Sequence, residues 1–425
     1  MKTFFIKNMG CKSNQLEGAI IRENLINNGY EEAENENSAD FFILNSCTVT
    51  HKSDKEVLYI LKHIKNKNPQ VQNVLTGCFA QIEKDNLMKN SYVDILIGND
   101  EKLEMAKYLE NPEISDIMEK KVFHKVLLND TKKTRASLKI QDGCDNRCSY
   151  CIIPFARGRN RSADVDFILN QIKLFESSQF KEIVLTGIHI GQWGMDFENK
   201  KNLLYLLKEI EEKTNIQRFR LGSLNPLEID DEMLSFLKNS EKFCPHFHLS
   251  LQSLCNKTLK NMNRHYCENQ ILDLIEKISN SFKLPFIGSD VIAGFVGEND
   301  DDFNVTVSNL KKSKLTQIHT FPYSIRKGTI AEKMHGHLSD NVKKQRAEII
   351  KKISAEKLSD FHKKNRNKEH EILIEKLPDK KTKFLKAMTR NYIEAIVPLK
   401  DETLKNTLHN ARLYEKDNRM YAEII

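Results

Sequence analysis

The sequence predicts an α/β protein in three parts: an N-terminal doubly wound parallel sheet, a central partial TIM-like barrel of six βα units, and a small C-terminal β module. Three observations carry this. Short apolar runs alternate with helical stretches, and the rhythm restarts once along the chain. A basic, polar connector, Asn129-Asp-Thr-Lys-Lys-Thr-Arg135, separates the two series. After residue 365 glycine disappears and polar and apolar residues alternate, as in 371–375 and 392–397. The expected domains are residues 1–128, 134–365 and 366–425.

In the first part, the runs at 4–7, 41–44, 71–75 and 93–97 read as buried strands, with helices at 15–28, 54–67 and 81–89 between them. The second part offers strands at 137–141, 182–185, 218–221, 246–249, 286–292 and 317–321. Helices at 166–177, 203–213 and 301–312 lie between them, and a long charged helix at 341–364 closes the flank. A barrel of this kind places its chemistry in the loops that follow strand C-termini.

Composition narrows the class. The 425 residues carry 66 Lys and Arg against 59 Asp and Glu, a net charge of +7 that permits an RNA partner without requiring one. No apolar run approaches the roughly 18 residues of a membrane span, and the start is too short in apolar residues for a signal peptide. The expectation is a cytoplasmic protein with no membrane partner. Nine cysteines in that setting argue for metal or redox chemistry rather than disulfides.

Three of the nine crowd into one loop after the first predicted barrel strand: Cys144-Asp-Asn-Arg-Cys148-Ser-Tyr-Cys151. A structural zinc site closes with four ligands, and an electron-transfer cluster takes four cysteines. Three thiols at this spacing can hold three irons of a [4Fe–4S] cube and leave one iron free for a substrate. A second triplet, Cys11, Cys47 and Cys78, is dispersed, yet each member falls just past a predicted strand. The carboxyl ends of neighbouring parallel strands face one crevice, so these thiols can converge. Three unrelated buried thiols are the bland alternative, and zinc stays open on thiol count.

With both triplets in place, the chain resembles the radical S-adenosylmethionine (SAM) methylthiotransferases over nearly its whole length. The residues that carry this are Met9-Gly-Cys11-Lys-Ser-Asn-Gln-Leu-Glu17, Asn45-Ser-Cys47-Thr-Val-Thr-His-Lys-Ser-Asp54, the CxxxCxxC loop with its flanks, and Leu185-Thr-Gly-Ile-His-Ile-Gly191. The resemblance is strongest to the branch acting on N6-threonylcarbamoyladenosine at position 37 of tRNA. It implies a radical SAM barrel and a C-terminal TRAM-type, OB-like module that binds RNA. Cys144, Cys148 and Cys151 would hold the cluster that cleaves SAM to a 5′-deoxyadenosyl radical. Cys11, Cys47 and Cys78 would hold an auxiliary [4Fe–4S] cluster carrying the sulfur to be donated. SAM contacts would come from Gly187, Gln252 and Ser253. The implied partners are the tRNA anticodon stem-loop, an external one-electron donor and a sulfur source. The chain departs from the family pattern at Leu254, Val296 and Asn225.

Other readings stay in view. Relatives of this kind act on isopentenyladenosine in tRNA or on ribosomal protein S12. A zinc-stabilised RNA-binding protein without catalysis is the alternative of another class. Arg157, Arg159 and Arg161 at alternate positions could meet RNA phosphates or a SAM carboxylate, or simply pair with acidic residues on the barrel. Cys244, Cys255 and Cys267 read as packing residues, and His246 as a core histidine.

Overall fold

The computed structural model describes residues 2–48, 51–128 and 133–425, with the side chains of residues 51 and 52 left aside. Val49 and Thr50 of the second motif, and residues 129–132 of the connector, lie outside the described residues.

The N-terminal part is a parallel sheet in the order Glu31–Glu32, Thr3–Asn8, Phe41–Ser46, Gln72–Gly77, Ile95–Leu96. The central strand Phe41–Ser46 is buried throughout, because the helices Lys12–Asn27 and His51–Lys67 cover the sheet. Two expectations shift. The helix predicted at 81–89 begins at Cys78, directly after the Gly77 turn, and breaks at Glu83 into Cys78–Ile82 and Lys84–Leu87. The strand predicted at 93–97 shrinks to Ile95–Leu96, because a turn still holds Val93 to the Asn90 carbonyl.

The second part forms a parallel half-barrel. Arg135–Lys139, Glu182–Thr186 and Arg218–Leu221 pair in that order; Ser223–Leu224, His246–Gln252, Phe286–Ala293 and Gln317–Pro322 continue it. Backbone bonds joining Phe219 to Lys242 and Cys244 bridge the two sets. Leucine, isoleucine and phenylalanine side chains between strands and helices form one large core. The helix Asp340–Asn365 packs along the last strand, where Ser354 Oγ accepts from the Ile318 amide at 2.8 Å.

The tail closes into a five-stranded barrel, as the alternation predicts. Without glycine, its turns put asparagine, aspartate and other residues at positive φ. Asp417 and Asn418, both left-handed, make the two-residue hairpin between Leu408–Lys416 and Arg419–Ile424. This small barrel docks on the end of the half-barrel where its strands begin. Arg218 and Arg220, buried and paired with Glu182, donate to the carbonyls of Met388, Thr389 and Arg390. The ring of Tyr392 lies 4.0 Å from that of His246 and meets Phe286 edge-on. Both cysteine triplets lie at the opposite end. Among the described residues no helix is long and apolar enough to cross a membrane.

Candidate functional site: two thiol triplets across one interface

The CxxxCxxC loop follows the first barrel strand and is pinned from several sides. Gly143 takes φ +70°, and a Cβ there would lie 1.9 Å from the Arg159 carbonyl oxygen, so only glycine permits this turn. The Cys144 amide donates to Gly158, that of Cys151 to Cys148, and that of Ser149 to Met262. Asn263 Nδ2 donates to the Arg147 carbonyl at 2.7 Å. Burial, together with the neighbouring Cys148 and Cys144, pushes the Cys151 thiol up to about 12. A thiol set this crowded becomes thiolate only beside positive charge, which a bound metal centre supplies.

Two cationic side chains already face the loop. Arg264 Nη1 lies 3.2 Å from Cys148 Sγ and its other nitrogen bonds the Ser250 carbonyl. His189 Nδ1 lies 3.4 Å from Cys144 Sγ, with its Nε2 against Glu228 and Asn225. Burial works against protonation of His189, but the bonds to Cys144 and Glu228 raise it to about 10. Cys148, His189, Asn225, Glu228 and Arg264 line a cavity of about 150 Å³. Asn225, where the sequence departs from the family pattern, lies in this site; Arg264 and Glu228 carry no sequence signal, and His189 falls within the 185–191 motif without a role of its own.

Strand register sets the second triplet at one end of the sheet. Asn8 pairs with Asn45 and Ser46 with Gly77, so the chain leaves three adjacent strands at one level. Cys11 precedes the first helix, Cys47 follows its strand, and Cys78 opens a helix. A Cβ at Gly10 would fall 2.5 Å from Cys47 Sγ, and one at Gly77 2.4 Å from the Ser46 carbonyl. Both glycines, at φ +86° and +93°, leave room for the thiols to turn toward one another. Asn14 holds the strand ends in place, donating to the carbonyls of Met9, Asn45 and Ser46. Among the described residues no three His, Cys, Asp or Glu side chains already stand in metal-binding geometry. Strand-end placement, glycine-lined space and all-thiol donor chemistry are what fit both triplets to iron–sulfur clusters rather than to a closed four-ligand site.

The two parts meet beside Cys78 and the segment after Cys151. The helix Cys78–Ile82 packs on Ile153–Arg157, which follows Cys151. Beneath them runs a buried ion network. Glu17 accepts from Arg157 at 2.6 and 2.8 Å, from Lys139 at 2.5 Å and from Lys102 at 2.6 Å. Asp142 accepts from Lys139, Arg157 and Arg161. Burial alone would push the Glu17 carboxyl up; Arg157, Lys102 and Lys139 overcome that and hold it well below its ordinary range. Arg157 and Arg161 are therefore committed to carboxylates in the interface. Only Arg159 is exposed, and it pairs with Asp145. Of the two readings of these arginines, pairing with acidic residues describes Arg157 and Arg161.

A cavity of about 270 Å³ opens at the barrel mouth, lined by Cys151, Gln252, Asp290, Ile292, Tyr323 and Arg326 among others. A larger groove of about 870 Å³ shares its wall at 322–324 and Arg326 and runs out past Lys55, Lys327, Lys343 and Lys344. Gln252 lines the smaller cavity, at positive φ in a register shift of its strand. Gly187 lies at a strand end, its carbonyl 3.4 Å from Ser13 Oγ of the N-terminal part. Ser253 is fully buried and its Oγ contacts Thr306 and the Cys255 amide, away from the cavity. Cys244 and Cys255 are buried packing residues, as expected, whereas Cys267 is only partly buried, at the N-terminal cap of the helix Glu268–Ser281.

A parallel half-barrel with a CxxxCxxC loop at its mouth defines the radical SAM class, which works through SAM and a [4Fe–4S] cluster. Residues 138–310 match the radical SAM superfamily, and residues 3–98 match the uncharacterized protein family UPF0004. The chain is 36% identical, over 93% of its length and 96% of that protein, to the threonylcarbamoyladenosine tRNA methylthiotransferase MtaB of Aquifex aeolicus. It is 35% identical to MtaB of Thermotoga maritima, over 88% of its length and 87% of that protein. The tRNA-2-methylthio-N(6)-dimethylallyladenosine synthase of Clostridium tetani is 32% identical, over 88% of the chain and 85% of that protein. Among solved structures, the radical SAM methyltransferase TsrM of Kitasatospora setae shares the fold, with a TM-score of 0.56 at 13% identity over 75% of each chain. The chain belongs to the radical SAM methylthiotransferases.

Proposed function

We propose that this chain adds a methylthio group to C2 of N6-threonylcarbamoyladenosine at position 37 of tRNA, in the cytoplasm. The observation that carries the reading is the packing of the Cys78 helix on the helix after Cys151, which sets two thiol triplets across one interface. In this reading Cys144, Cys148 and Cys151 hold the SAM-cleaving cluster, and Cys11, Cys47 and Cys78 hold the auxiliary one. Bound there, the two clusters and SAM would supply the radical and the sulfur; an external donor would supply electrons, and a sulfur source would restore the donated atom.

The chain's own residues bind, orient and screen. Arg264 and His189 place positive charge beside two of the loop thiols, which favours the thiolate form each ligand needs. Gln252, with Asp290 across the 270 Å³ cavity, offers polar partners for SAM at the barrel mouth. The apolar walls Ile152, Ile153 and Ile292 exclude water from the reacting atoms. The C2 edge of adenine is hidden in a duplex, so the base must come from a loop and enter a pocket singly. The larger groove offers that entry, with lysines along it for phosphates and for the threonylcarbamoyl carboxylate.

Phe321 and Pro322 on the cavity wall favour a second reading in which the base that enters beside SAM carries an apolar prenyl group. Anaerobic turnover with the separately modified tRNAs, read by nucleoside mass spectrometry, tests both.

A further inference from the structure

The segment leaving the sixth barrel strand walls both the cavity beside Cys151 and the larger groove. One of its side chains reaches across to the N-terminal part. Arg326 is 7% exposed; its Nη1 donates to Asp54 Oδ2 at 2.7 Å and its Nη2 to Thr48 Oγ1 at 2.5 Å. Thr48 Oγ1 donates in turn to Asp54 Oδ1 at 3.0 Å, closing a triangle. Thr48 follows Cys47 directly, and Asp54 lies in the first turn of the helix His51–Lys67. One guanidinium therefore ties the Cys47 strand end to the wall that carries Cys151's cavity.

The tie has features that a simple surface ion pair lacks. All three partners are buried, so the pair had to overcome a large desolvation cost. Arg326 Nε is also buried and has no partner among the described residues, an orphaned donor that the fold tolerates at this place. The opposite side of the interface is held by the network around Glu17 and Asp142, in which two carboxylates are shared by Lys102, Lys139, Arg157 and Arg161. On the Cys47 side, the Arg326–Asp54 pair crosses from the barrel segment to the N-terminal part beside the open groove, so the spacing there depends on this tie.

We propose that Arg326 is a positioning residue. It sets the Cys47 end of the N-terminal sheet at a fixed distance from the Cys151 cavity, so that sulfur transfer stays matched to SAM cleavage. The inference rests on the reading that the two triplets hold separate clusters. A reaction between two centres in different domains is sensitive to their spacing, and a displacement of about 1 Å can cost on the order of 10²-fold.

The test uses full-length protein with both clusters reconstituted, comparing Arg326→Gln, Asp54→Asn, their double variant and Arg326→Lys. The readouts are iron content, methylthio product formed per 5′-deoxyadenosine released, and the magnetic interaction between the reduced clusters by electron paramagnetic resonance. Arg326→Gln and Asp54→Asn should each keep both clusters, lower the product ratio at least about tenfold and change the inter-cluster signal. The double variant should be no worse than the poorer single, and Arg326→Lys, which keeps the charge, should recover part of the ratio. An unchanged ratio and signal in both singles would overturn the proposal. So would a rise in tRNA KM with Arg326→Gln alone while Asp54→Asn is silent, which would make Arg326 a substrate contact. Loss of iron in the singles, including Arg326→Lys, would reduce the residue to a structural role. If the unaltered protein held one cluster or made no methylthio product, the underlying reading would fail first and take the inference with it.

Discussion

Asn99 donates one amide hydrogen bond to the carbonyl of Ala156, 2.8 Å away, while the same nitrogen stands 3.7 Å from Cys78 Sγ. Its backbone amide is held in turn by Gln81, from the Cys78 helix. A single buried side chain thus joins the third thiol of one triplet to the helix that follows the other. The two halves of the site are coupled through hydrogen bonds that need no cofactor to be present.

The two clusters should nonetheless be separable by ligand removal, because the triplets belong to different parts of the chain. Cys144→Ala/Cys148→Ala/Cys151→Ala is expected to lose about half the iron and all SAM cleavage. Cys11→Ala/Cys47→Ala/Cys78→Ala is expected to lose about half the iron, still release 5′-deoxyadenosine, and make no methylthio product. Iron analysis and product chromatography on anaerobically reconstituted protein read both. Full iron and activity in the N-terminal variant would remove the auxiliary site.

The interface should weaken in acid, and the sign follows from its carboxylates. Glu17 and Asp142 are both held below their ordinary range in the folded protein; burial opposes this, and Arg157, Lys102 and Lys139 for Glu17, or Lys139, Arg157 and Arg161 for Asp142, outweigh it. Their stabilisation is therefore present above the unfolded carboxyl range, near about 4, and is lost as pH falls below it toward the folded values. Glu17→Gln should abolish much of this dependence and cost about 3–5 kcal/mol at neutral pH, because Lys102, Lys139 and Arg157 would keep their buried charge without its main partner. Urea unfolding of both proteins between neutral pH and about pH 3 measures it; a parallel pH profile in the variant would show that the network contributes nothing.

Much of this architecture could be read from local pattern, and the parts that could not are long-range. The six barrel strands, the helix Asp340–Asn365 and the β tail follow from apolar periodicity, which each segment carries by itself. The strand-end positions of Cys11, Cys47 and Cys78 were readable for the same reason. The fate of Arg157 was not. Alternate spacing leaves anion binding and carboxylate pairing equally open, but Arg157 ends a helix, Gly158 turns the chain at φ +73°, and Arg161 begins a strand. Its partner Glu17 lies 140 residues away. Ser253 sits beside Gln252 in sequence, yet the strand ends at Gln252 in a left-handed residue after a register shift, so one side chain reaches the cavity and the other packs on Thr306.

Docking of the tail on the barrel floor changes how its RNA role must be tested. Deleting residues 366–425 would uncover Phe286 and Phe361, each worth about 1.5–3 kcal/mol of burial, and strip Arg218 and Arg220 of their carbonyl acceptors. The truncated protein should melt at lower temperature and aggregate, whatever its affinity for RNA. The cleaner variant is Lys380→Gln/Lys381→Gln/Lys383→Gln, three exposed side chains in one turn. If they meet phosphates, the slope of log affinity against log salt should fall by about 0.7–0.9 for each phosphate left unneutralised, with melting unchanged. An unaltered slope would leave the tail as a structural floor.

Substrate choice is the sharpest test of the proposed reaction. Threonylcarbamoyl brings a carboxylate, a hydroxyl and a urea-like linkage, whereas the prenyl group is wholly apolar. A carboxylate buried without a cation is very costly, so a site for the first substrate must place lysine or arginine within reach. Arg157 and Arg161 cannot serve, being sealed against Glu17 and Asp142. Lys55, Lys327, Lys343 and Lys344 along the groove remain, and Lys343, paired only with the exposed Asp340 among the described residues, stands over the ring of Tyr323 at the junction of groove and cavity. A site that pairs such polar groups rejects a substrate lacking them by about 10⁴ or more. Under anaerobic turnover, tRNA bearing threonylcarbamoyladenosine should be methylthiolated, and tRNA bearing isopentenyladenosine or plain adenosine should not. Lys343→Met should raise the KM for the first substrate without improving the others. Equal product from the isopentenyl substrate would assign the apolar cavity wall to a prenyl group instead, and would leave the family assignment untouched.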